Sequence, residues 1–185
     1  MSRFDDEDIK IAGQEKPGKQ TESAEEIARL FLEQRNRGNI DKARQLGRDF
    51  AAGIIQPANS PLWPDRAPDT QREYHHQLLL YSYVINRVIA ERSPNSLLAQ
   101  TTLNVFYSEI EAASPKLHQH VSDMAAFSLY ILCERSPSRG DGDIGAIYAD
   151  LCDYEGHPEV IAEGNAFYRR LFDYCCEKIR EIGYL

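Results

Sequence analysis

Two groups of polar residues sit inside apolar stretches of this chain at spacings that could build a site. His75, Ser82 and Asn86 follow one another at steps of seven and four, along one face of a helix that is interrupted by Leu79 and bordered by apolar residues. His120 and Asp123 are three apart on a later segment, a spacing at which a carboxylate orients an imidazole and favours its charged form. If the two segments face each other, these five residues border a small interior pocket for a ligand, and ten tyrosines are available to line it. Trp63, the only tryptophan, lies among four prolines and is a second kind of candidate, either a plug in the fold or a contact for a partner protein.

Other chemistry has less support. His118 and His120, two apart, diverge on a helix, and there is no His-x-x-x-His or Glu-x-x-His set to hold a metal. There is no Gly-x-Ser-x-Gly elbow, no phosphate-cradling loop and no dinucleotide fingerprint, so no catalytic residue, metal or cofactor is assigned. Cys133, Cys152, Cys175 and Cys176 form no Cys-x-x-Cys pair, and they read as free thiols packed like small hydrophobes. Cys175 falls in the middle of an apolar helix face and Cys176 at its edge, because neighbours on a helix point about 100° apart.

The elements that must position these residues are helices. Leu78, Tyr81, Ile85, Val88 and Ile89 recur at three-and-four spacing between about 70 and 92, and Leu79, Leu80, Tyr83 and Val84 cover much of the remaining circumference. A helix that is apolar nearly all round must be enclosed by others, which makes this segment the hub of a bundle, with Asp69 as its cap. Ser114 and Pro115 open a second such rod, about 115–135, amphipathic through Leu117, Val121 and Met124 and apolar on nearly every side from Ala125 to Cys133. Ala99, Leu103, Phe106, Tyr107 and Ile110 make one face of a helix between them. A short helix runs through Ile144, Ile147, Tyr148 and Leu151, capped by Asp141 or Asp143 in the polar loop Ser136–Asp143. The final helix, from Pro158, aligns Ile161, Gly164, Phe167, Leu171, Cys175 and Ile179, and Gly183 stops it.

Near the start, Ser23 and Glu26 form a capping box before Ile27, Leu30 and Phe31. Gly38 turns the chain into a second helix carrying Ala43, Leu46, Phe50 and Ile54. Over about 34 residues this hairpin resembles a single tetratricopeptide unit, with Ile27, Leu30, Gly38 and Ala43 at its large, large, turn and small positions. It departs from that repeat at Phe31 and Phe50, where small residues belong, and no second copy follows. The resemblance implies an antiparallel helix pair whose exposed faces need neighbours. Arg35, Arg37, Lys42, Arg44 and Arg48 cluster about the turn, which raises DNA binding through residues 35–48. Gly47, Asp41 and Asp49 fit a recognition helix poorly.

In class, the chain is all-α: one domain, residues 21–185, of about seven helices with two central, largely buried ones, preceded by a flexible acidic tail at 1–20 that carries Asp5, Asp6, Glu7 and Asp8. At 185 residues, 42% of them hydrophobic and 27% charged, it is large enough to close one core. A net charge of −8 repels phosphate backbones, so nucleic acid is disfavoured as a partner. No apolar run reaches the roughly 20 residues that span a bilayer, and the first 20 residues lack the basic and apolar order of a secretory signal, so the expected compartment is the cytoplasm. The leading expectation is a non-enzymatic module that binds protein, itself included. The alternatives are a small-molecule-binding bundle or enzyme built on the five polar residues, and DNA binding through the hairpin.

Overall fold

Amphipathic runs punctuated by glycine, proline and capping residues produce helices and no strand among the described residues, which are 24–57, 62–64, 67–135 and 144–184 of this computed structural model. The helices are α1 (Ala24–Asn36), α2 (Asn39–Ile55), α3 (Gln71–Arg92) and α4 (Ser96–Ala113), then α5 (Pro115–Val121), α6 (Met124–Arg135), α7 (Ile144–Leu151) and α8 (Pro158–Ile182). The acidic tail, Ser23 of the expected capping box and the 136–143 loop with Asp141 and Asp143 lie outside the described residues.

The hub helix starts on a different cap from the one expected. Thr70 Oγ1 accepts the backbone N–H of Glu73 at 3.0 Å, and the buried Glu73 carboxylate accepts the N–H of Asp69 at 2.7 Å. This is a Thr-x-x-Glu capping arrangement in which Asp69 supplies an amide and Thr70 the cap. From there Leu78, Leu80, Tyr81, Val84, Ile85, Val88 and Ile89 lose all contact with solvent. They share one core with Phe50 and Ile54 of α2, Phe106 and Ile110 of α4, and Phe167, Leu171 and Cys175 of α8.

Two close helix contacts are set by glycine. α2 lies against α4, and a methyl group at Gly47 would stand 2.5 Å from the carbonyl oxygen of Thr102. α7 crosses α8 where Gly145 meets Gly164, the Cα of Gly145 lying 3.1 Å from where a Cβ on Gly164 would be. The α1–α2 hairpin turns at Gly38, whose φ of 73° favours a residue without a side chain. A smaller apolar cluster of Ile40, Ala43 and Leu98, joined by Leu97 and Tyr184, ties this hairpin to α4 and to the end of α8, and Lys42 Nζ donates to Gly183 O at 2.6 Å.

The second rod differs from its expectation. Residues 115–135 are two helices, because Ser122 ends α5 by bonding back to His118 O at 2.7 Å and Asp123 starts a new one, its Oδ1 accepting the N–H of Ala125 at 2.9 Å. α6 sits at the side of the bundle against α3 and α7 and, among its described side chains, buries the stripe Ala126, Phe127, Tyr130 and Cys133. Leu129 and Leu132, on its outer side, are 42% and 63% exposed.

Trp63 is a partly buried plug packed against the core. Its indole lies parallel to the ring of Tyr81 with centroids 5.7 Å apart, touches Phe167 at 5.6 Å, and donates Nε1–H to the carbonyl of Gly53 at 2.9 Å. Its ring and its donor are thus both engaged within the chain, while part of the side chain stays exposed.

Candidate functional site

Of the five polar residues read as one pocket, three come together. His75 on α3 and His120 on α5 stack face to face, with ring centroids 3.7 Å apart and planes inclined by 21°. Asp123 lies at the rim of the same depression, whose volume is about 350 Å³ and whose lining adds Arg72, His76, Leu79 and Gln119. The stripe on α3 that serves this site is therefore 72, 75, 76 and 79, a three-and-four face, and not the 75, 82, 86 line. Asp123 does not act as the expected orienter of His120. The break at Ser122 turns its carboxylate onto the α6 amides instead.

Ser82 and Asn86 belong to a separate polar contact. Asn86 Nδ2 donates to Tyr107 OH at 2.6 Å and to Ser82 O at 2.8 Å, and Ser82 Oγ lies 3.2 Å from the same hydroxyl. All three groups satisfy one another between α3 and α4, which fixes the register of the two helices. With Ser82 fully buried and bonded to a phenol in place of a base, its hydroxyl has the environment of a structural serine.

Electrostatics at the histidine site favour neutral rings. Partial burial lowers the pKa of His75 from its ordinary value, and the nearby His120 and Lys116 lower it further. Burial also lowers that of His76, reinforced by Arg72 and His75 and opposed by Asp123 and Asp153. The side-chain amide of Gln71 lies 2.9 Å from His75 Nε2. Arg72 is held in place by Asp153 at 2.5 Å and by the carbonyl of Leu151 at 2.7 Å.

The pH dependence of stability follows. Both histidines are neutral in folded and unfolded chains at high pH. As pH falls below about 6.5 the unfolded chain takes up protons that the folded one resists, so stability is lost from there downward through the lowered folded-state values. Urea unfolding at about pH 7.5 and about pH 5 measures this, and His75→Gln with His76→Gln makes the loss shallower. An unchanged loss in the double variant would show that these rings carry none of it.

One charged cluster escaped the sequence reading. Arg87 of α3 donates to Glu134 of α6 and to Tyr168 OH of α8, pairs with Glu91 at 3.2 Å, and lies over the ring of Phe172 at 5.7 Å. Burial and the adjacent Glu134 push the pKa of the nearby Tyr83 phenol upward, so it stays protonated. Its members are drawn from three helices, 47 and 81 residues apart, and no local spacing announces them. No disulfide joins the four cysteines, and Cys133, Cys152 and Cys175 are buried; burial raises the Cys152 thiol to about 12, far from a reactive thiolate.

Two of the five basic residues of the hairpin are paired with acids. Arg37 pairs with Glu33 at 2.8 Å, Arg44 with Asp41 at 3.1 Å, Arg48 bonds Gln45 and Lys42 bonds Gly183 O. Among the described residues no group of three or more His, Cys, Asp or Glu side chains is placed to hold a metal ion, and no helix is long and apolar enough to cross a membrane. The chain matches no known protein family, no curated protein and no solved structure. The tetratricopeptide likeness of residues 22–55 thus extends no further than the helix hairpin itself.

Proposed function

We propose that this chain is a non-enzymatic cytoplasmic module that associates with a second copy of itself through α1. The observation that carries this reading is the outer face of α1, where Ile27, Phe31 and Leu32 are 46%, 37% and 56% exposed at positions i, i+4 and i+5. An apolar stripe of this kind on a helix that packs against α2 is a surface that gains by being covered. Charge favours a copy of the same helix as the cover. Glu25 and Glu26 open α1 and Arg35 closes it, so an antiparallel pair about a twofold axis sets acid against base at both ends with Phe31 near the centre. Free thiols, three of them buried, suit the reducing compartment.

Light scattering on the eluting protein gives a dimer mass under this proposal. Phe31→Asp places a charge at the centre of the pair and weakens association by about tenfold or more, with helical circular dichroism unchanged because Phe31 is not in the core. A wild-type chain that stays monomeric at high concentration overturns the proposal. A Phe31→Asp protein that dimerises like wild type overturns the role of α1.

A further inference from the structure

We propose that the depression between α3 and α5 binds a compact oxyanion, a phosphate or phosphate monoester, held by Arg72, His76, Gln119 and the stacked His75–His120 pair. Two ring nitrogens there, His76 Nδ1 and His120 Nε2, are shielded from solvent and have no hydrogen-bond partner in the protein. A buried polar atom without a partner is costly, and an anion oxygen entering the depression supplies the missing acceptor to a protonated ring nitrogen. The volume of about 350 Å³ suits a small molecule and not a chain segment.

The surrounding charges point the same way. On a chain of net charge −8, Arg72, Lys116 and three histidines gather at one place. Of the two acids nearby, Asp153 pairs with Arg72 and Asp123 accepts from the α6 amides, and both also favour a protonated His76. A metal ion fits less well, since lone pairs of two rings stacked 3.7 Å apart lie in near-parallel planes and do not converge on one point. Without an anion, protonating both stacked rings sets like charges together beside Arg72 and Lys116. With one, those charges face their counterion, so anion uptake and proton uptake reinforce each other.

Inorganic phosphate is the probe, added at about pH 6 in a chloride background at fixed ionic strength while the five histidine ring signals are followed by NMR. The expected result is a saturable shift of the His75, His76 and His120 signals, with no such change at His118 or His157. Arg72→Gln and His120→Gln each weaken the effect by about tenfold or more, and Phe31→Asp leaves it intact. Absence of saturation, or equal movement of all five signals, overturns the proposal. So does wild-type phosphate response in both site variants.

Discussion

Trp63→Ala lowers the unfolding free energy by about 3–5 kcal/mol, the range for truncating a packed aromatic, and leaves self-association unchanged. The indole is sandwiched by Tyr81 and Phe167, borders Tyr74 at 6.4 Å, and bonds Gly53 O, so its removal opens a cavity at the meeting of α2, α3 and α8 and orphans a carbonyl. For a chain of this length the melting temperature falls by roughly 6–20 °C. Urea denaturation and light scattering on the same sample check both halves of the statement. If stability holds while the dimer is lost, Trp63 is a partner contact and its plug role is wrong.

The second large effect is expected at the α7–α8 crossing. Gly145→Ala destabilises the chain by about 3 kcal/mol, the upper end of the usual overpacking cost, because the new methyl group meets backbone. It would lie 2.1 Å from Ile161 O and 2.7 Å from the Asn165 amide, and that amide oxygen already accepts the N–H of Gly145 at 2.8 Å. The sign is informative, since alanine inside a helix gains about 1 kcal/mol over glycine where space allows. A variant that unfolds at equal or higher denaturant concentration would show that the two helices separate without penalty.

Periodicity was the most readable part of the sequence. The all-round apolar pattern of α3 and the one-sided pattern of α8 each correspond to the burial observed, because burial of one stripe or of the whole circumference leaves a repeating mark. Caps were harder to read. Thr70 and Glu73 spell a capping box, yet Asp69 next to them offers a competing cap, and Ser122–Asp123 breaks a run whose apolar residues continue in phase on both sides. The same break explains the misassigned carboxylate: on an unbroken helix Asp123 faces His120, whereas as a cap it turns to the amides ahead of it. His75 and His120 were legible as candidates because an imidazole in an apolar stretch is conspicuous. Arg72 and His76 flank the face of His75 at i−3 and i+1 and give no such signal, since an arginine in a first helical turn and a histidine near a helix start are ordinary. Tyr107 and the Arg87 cluster depend on which helices adjoin, and one strand of sequence does not carry that information.

The Lys42–Gly183 bond joins residues 141 apart, and Tyr184 packs into the small cluster formed by Ile40, Ala43 and Leu98. During synthesis, then, the α1–α2 hairpin waits for the 141 residues that follow Lys42 before it is clasped. Until residue 184 has left the ribosome, α1 and α2 lack their last fastening, and their greasy surfaces stay open to wrong contacts while the intervening helices are made.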